Sequence, residues 1–139
     1  MRPRRAAALT TAAAAAFLMI GAGCTTDAPS STPTGAELIG TWEQSGAGFE
    51  RGTPVTWVDQ VVVIESADGQ GFTGFKEYTP VGDAPQKETV NGVIATNGDI
   101  LITDEDGVFR GRLEDGTILG QYAETGDDAT AINVELIRQ

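Results

Sequence analysis

From residue 36 to the C-terminus, apolar and polar side chains alternate with a period of two, interrupted at short intervals by Asp-Gly and Asn-Gly pairs. Asp68-Gly69, Asn97-Gly98, Asp106-Gly107 and Asp115-Gly116 each stand between two such segments. These dipeptides favour β-hairpin turns, whose central residues adopt positive φ that Gly, Asn and Asp tolerate. The pattern predicts strands over 38–44, 55–66, 71–79, 87–96, 99–104, 108–114, 117–124 and 129–138, and no amphipathic helix of useful length.

Turn position dictates which side chains face one another, and a one-residue slip sends each to the opposite face. With Asp115-Gly116 as a turn, Leu113 faces Ile118, Gly111 faces Gly120 and Phe109 faces Tyr122, while Arg110 and Arg112 fall on the other side. The same parity carried through Asp106-Gly107 and Asn97-Gly98 adds Ile100, Ile102, Val93 and Ala95 to the apolar face. With Asp68-Gly69 as a turn, Phe72, Gly74, Lys76 and Tyr78 share a face with Val63, Val61, Asp59 and Trp57. Mid-strand glycines at 111 and 120 suit a strongly coiled sheet. The expected fold is therefore all-β: an eight-stranded antiparallel up-and-down β-barrel, preferred to a two-sheet sandwich because closure removes exposed edges. Eight strands leave an interior that side chains can fill or that holds one small ligand.

Ahead of this domain the pattern changes. Arg2, Arg4 and Arg5 precede an apolar run over 6–20 broken only by Thr10 and Thr11, followed by Gly21-Ala22-Gly23 and Cys24. The run is shorter than the roughly 20 residues that span a bilayer, and the order basic, apolar, small is that of a signal peptide. Residues 21–24 resemble the lipobox of bacterial lipoproteins. That resemblance implies cleavage before Cys24, a diacylglycerol thioether on its sulfur, and an extracytoplasmic protein anchored to the cell membrane by its lipid. Gly21 stands where a lipobox usually has Leu, Val or Ile, so an ordinary secretory signal with a free thiol stays open, as does twin-arginine export through Arg4-Arg5. Residues 25–35, TTDAPSSTPTG, hold no aliphatic side chain larger than alanine and read as a flexible tether. The expected organisation is a signal peptide over 1–23, a lipid-attached cysteine and linker over 24–35, and a barrel over 36–139.

Composition narrows the chemistry. The chain has no histidine and one cysteine, which removes a Ser-His-Asp device, an intrachain disulfide and the commonest metal ligand. Cleavage before Cys24 would take three of the nine basic residues and none of the 20 acidic ones, moving the formal charge from −11 to −14. Such a surface repels nucleic-acid phosphates and anionic lipid headgroups, so the acyl group would have to provide the membrane attachment. The acidic stretches Asp104-Glu105-Asp106-Gly107 and Gly126-Asp127-Asp128 lack EF-hand spacing and read as soluble turns. No metal, cofactor or enzymatic activity is expected.

The segment Leu38-Ile39-Gly40-Thr41-Trp42 is similar to the G-x-W motif that opens the first strand of calycins, the superfamily of lipocalins, fatty-acid-binding proteins and avidins. The resemblance implies that Trp42 closes the barrel floor and that Arg138, near the end of the last strand, crosses it. Ala67-Asp68-Gly69 followed by Phe72-Thr73-Gly74 is similar to a turn and strand of avidin-type proteins, but Gln44 and Lys76 replace their asparagine and ligand tyrosine. No tryptophan follows Trp57, so biotin is not the expected ligand. The avidin-like alignment turns Lys76 inward, diagonal to Asp59, with Trp57, Tyr78, Phe109 and Tyr122 nearby as candidate ligand-binding residues. A buried lysine and aspartate demand pairing, which an internal salt bridge or a polar anchor in an aromatic pocket would both satisfy. Two readings follow. One is a non-enzymatic, lipid-anchored barrel holding a small hydrophobic or amphiphilic ligand. The other is a filled barrel serving as an envelope protein-interaction or structural module.

Overall fold

The structure is a computed structural model and describes residues 32–139; the expected signal peptide, Cys24 and most of the expected tether lie outside them. A single helical turn, α1 (Gly35–Leu38), precedes β1 (Gly40–Glu50), β2 (Thr53–Asp68), β3 (Gly71–Tyr78) and β4 (Gln86–Ile94). The second half comprises β5 (Asp99–Thr103), β6 (Gly107–Glu114), β7 (Thr117–Glu124) and β8 (Thr130–Arg138). Each strand pairs antiparallel with its sequence neighbours and β8 pairs with β1, closing an eight-stranded up-and-down barrel as expected. β1 and β2 are longer than the pattern predicts. Their turn is Arg51-Gly52, at φ 48° and 77°, which carries no Asp-Gly or Asn-Gly signal.

Register follows the turn chemistry at Asp115-Gly116. The β6–β7 pairs are those expected, including Phe109 with Tyr122 and Gly111 with Gly120. Between β5 and β6 the turn is Glu105-Asp106, one residue earlier than expected, since Asp104 N donates to Gly107 O at 3.3 Å. That moves the pairing by two, so parity survives and Ile100 and Ile102 are buried.

Two other turns correct the expected faces. Ala95 N donates to Asp99 O, so Thr96-Asn97-Gly98 form a three-residue loop with Gly98 at φ 86°. The extra residue inverts β4: Val90 and Ile94 are buried, while Val93 and Ala95, expected inside, face solvent. In the β2–β3 hairpin the turn is Gly69-Gln70, and a bulge lies between Ile64 and Ser66. Val62 and Ile64 therefore point into the barrel, and Val61 and Val63 do not. A second bulge, where Gln44 pairs with Gln60 but Gly46 with Trp57, restores the original parity and turns Trp57 inward. Asp59 sits in that bulge at φ 56°, exposed, and is not the partner of Lys76 that its sequence position suggests.

The closed end is built around Trp42, which has no exposed surface and donates from Nε1 to Leu38 O at 2.9 Å. The Arg138 guanidinium lies 4.3 Å from the Trp42 ring centroid and donates to Ile39 O and Glu37 O, tying α1 to the last strand. Gly35 N donates to Gly69 O and Thr32 Oγ1 to Thr96 O, so the described chain enters at this end.

Candidate functional site

Above the Trp42 layer, aromatic rings fill the barrel by lying across glycines of their own or neighbouring strands. A Cβ on Gly111 or on Gly120 would fall 2.5 Å from the Phe109 ring, so only glycine at these pairs leaves the ring its place. Phe72 covers Gly92 and Tyr122 covers Gly107 in the same way. A void bordered by Val62, Val90, Ile102, Phe109 and Leu136 measures about 20 Å³ and has room for about one water. Phe109, a candidate ligand residue, thus belongs to this packed layer.

The next layer is charged. Lys76 is 7% exposed; its Nζ lies 2.5 Å from Asp104 Oδ2 and 3.1 Å from Glu88 Oε2. Strand pairing delivers Glu88, since Lys76 and Glu88 are opposite one another on β3 and β4. Asp104 arrives from the end of β5, and its Oδ1 accepts from Gly107 N at 2.7 Å and from the Tyr122 hydroxyl at 2.9 Å. The Tyr78 hydroxyl donates to Glu88 Oε1, while Glu88 Oε2 is buried without an aligned hydrogen-bond donor despite its proximity to Lys76. Lys76 Nζ also lies 5.0 Å and 5.2 Å from the Tyr78 and Tyr122 ring centroids. The interior cation is therefore paired, but with Glu88 and Asp104. Sequence reasoning missed both, because one lies on a strand whose register was inverted and the other in a segment read as a turn.

Electrostatics follow from this packing. Burial alone would push the Asp104 carboxyl up, yet the hydrogen bond and charge of Lys76, with the Gly107 and Tyr122 donors, hold it below the usual carboxylate range. Burial and the adjacent Glu88 carboxylate push the Tyr78 phenol well up; burial and Asp104 do the same to Tyr122. The Glu124 carboxyl, at the end of β7, is raised mainly by burial, with Asp106 and Asp104 adding repulsion against the opposing effects of Tyr122 and Lys76.

Over this layer the barrel opens into a cup of about 710 Å³. Trp57, Lys76 and Tyr78 line it, with Val55 and Gln60 from β2, Pro80 and Val81 from the β3–β4 loop, and several rim carboxylates. Trp57 packs on Tyr122 with centroids 5.1 Å apart and planes tilted by 59°. Of the six candidate residues, Trp57, Lys76 and Tyr78 thus meet at one cavity and Tyr122 supports it from beneath. Phe109 lies deeper, and Asp59 lies outside the cup.

No family model matches the chain, and no curated protein matches it. Among solved structures, the chain is similar to a Bacteroides ovatus protein of unknown function, with a TM-score of 0.53 and 13% identity over 73% of this chain. The chain spans 42% of that protein's length, and the likeness is one of fold alone. Zebrafish ileal bile acid-binding protein, solved with cholic acid, matches at a TM-score of 0.38 and 12% identity, over 73% of this chain and 98% of the other.

Proposed function

We propose that this protein is a non-enzymatic, lipid-anchored extracytoplasmic binding protein whose small amphiphilic ligand sits in the mouth cup. The carrying observation is the contrast in volume: about 710 Å³ at the mouth against about 20 Å³ within the packed barrel. The cup falls in the range of small-ligand sites, roughly 300–1,000 Å³, and its lining sets apolar and aromatic side chains such as Val55, Trp57 and Tyr78 beside charged ones. The lipobox-like residues at Gly21–Cys24 support the anchor.

The filled interior also favours a second reading, in which the rim loops meet an envelope protein. Native mass spectrometry of the protein purified from its own host, before and after organic extraction, separates the two. An extractable small molecule in stoichiometric amount, lost in Trp57→Ala, is the expected result. A bare mass, with no thermal shift across a lipid and metabolite panel, would overturn the ligand reading and leave the protein partner. Cys24→Ser should release the protein from the membrane fraction; retention would overturn the anchor.

A further inference from the structure

The cup carries more negative charge than its own cations neutralise. Glu50, Asp83, Asp106, Glu124 and Asp128 line it together with Arg51 and Lys76. Arg51 is ion-paired with Asp128, and Lys76 with Glu88 and Asp104 beneath the floor. Four wall carboxylates, Glu50, Asp83, Asp106 and Glu124, then have no ion-pair partner among the described residues. Beneath the floor the balance is the same, since the one Lys76 ammonium serves the two carboxylates of Glu88 and Asp104. Glu88 is 7% exposed, yet its Oε2 has no aligned donor, immediately beside the floor residues Lys76 and Tyr78. Trp57, unlike Tyr78 and Tyr122, has no cation over its ring among the described residues, although indole is the best cation acceptor of the aromatic side chains.

We infer that the ligand of the cup is an organic cation: a protonated or quaternary amine on an apolar body, its positive head held between the Trp57 face and the carboxylates of Glu124 and Asp106. This rests on the reading of the cup as a ligand site and adds the sign of the ligand's charge. The ring faces and walls accept the apolar body. The carboxylates then supply a diffuse negative potential, which suits a large, weakly hydrated ammonium. A metal ion would need converging ligands, and among the described residues no group of three or more His, Cys, Asp or Glu is placed to hold one. A carboxylate-headed amphiphile would enter against the same field that attracts the amine.

The two tryptophans give the test its readout, since Trp57 lines the cup and Trp42 seals the opposite end. The protein, labelled with ¹⁵N, is titrated with 2-phenylethylammonium, 2-phenylethanol and 3-phenylpropionate, which share a ring and differ in charge. The cation should move the Trp57 indole signal, leave that of Trp42 in place and bind about tenfold more tightly than the alcohol. The anion should bind weakest, and E124Q/D106N should remove the cation's advantage. Alcohol or anion binding as tight as the cation's would overturn the charge inference and leave the cup as a site. If none of the three moves Trp57, the inference also falls; a neutral or anionic molecule extracted from the native protein would then preserve the cup reading, and a bare mass would remove both.

Discussion

Lys76→Met tests whether the charged layer is a closed unit. Lys76, Glu88 and Asp104 have side chains 8%, 8% and 5% exposed, so water cannot take over when the ammonium is removed. Methionine keeps the length and apolar stem of lysine, which confines the change to charge. Breaking a buried pair by deleting one partner costs about 3–5 kcal/mol, because an uncompensated charge stays behind. The two carboxylates do not share that cost equally. Asp104 keeps the donors Gly107 N and Tyr122 OH, whereas Glu88 keeps only Tyr78 OH. Most of the loss should therefore come from Glu88, and K76M/E88Q should recover about 2 kcal/mol of it by neutralising that group. At a urea slope of about 1–3 kcal/mol per molar, the single variant should lower the unfolding midpoint by about 2 M.

Acidity supplies an independent check on sign. In the wild type the Asp104 carboxyl is held below its unfolded value, so its contribution is present above that value and is lost as pH falls through the depressed folded one. In K76M the burial of the Asp104 carboxyl is no longer opposed by the ammonium, its folded value rises, and protonation of Asp104 then costs the folded state less. The gap between wild type and variant should consequently narrow from about pH 7 to about pH 4. A loss below about 1 kcal/mol, or one equal at both pH values, would refute the account of Lys76 as the cation that makes this layer tenable.

Tyr78 and Tyr122 are the protein's two tyrosines, so near-ultraviolet phenolate absorbance reports on the site alone, and it should stay absent through the ordinary tyrosine range until alkali unfolds the barrel. Gly74→Ala should abolish stable folding or cost more than about 3 kcal/mol by thermal melting, because the new methyl would overlap the Val63 carbonyl on the neighbouring strand. Leu38→Ala should cost about 2–5 kcal/mol in urea melts, since the Leu38 side chain has no exposed surface and its removal leaves a cavity in the core. Phe109→Ala should cost about 3–5 kcal/mol and let the barrel bind a small apolar probe such as benzene, which the wild type should refuse.

What could be read from the sequence was the part governed by period and by two-residue turns. Asp115-Gly116 set the β6–β7 register outright, and an error of one residue at Glu105-Asp106 left parity intact because both flanking pairs moved together. The faces of Val93, Ala95, Val61 and Val63 came out wrong for one physical reason: single extra residues invert every side chain beyond them. Such residues leave no strong composition signal when the turn keeps its Asn-Gly or Asp-Gly. Gly98 and Gly69, both at positive φ, fit a longer or displaced turn as well as the expected one. Trp57 was assigned inward by two cancelling errors, the unseen bulges on either side of Val62. Lys76 and Tyr78 were legible because β3 carries no bulge; Glu88 and Asp104 were not, since a buried acid is recognised only once its cation's neighbours are known.

The position of the charged layer decides what the barrel can hold. A carrier that swallows an acyl chain needs a dry interior several hundred Å³ in volume, and here Phe72, Phe109 and Tyr122 occupy that space by lying on glycines. Lys76, Glu88 and Asp104 then lie between the apolar core and the mouth, so a hydrocarbon tail pushed past Trp57 would meet paired charges first. Displacing those pairs would leave buried charges unmatched, at a cost of several kcal/mol that about 20 Å³ of void beneath cannot offset through burial. On the proposed reading the cup is consequently a shallow site with an ionic floor, and it would select compact molecules whose polar group stays with the wall and floor over long ones that must be engulfed.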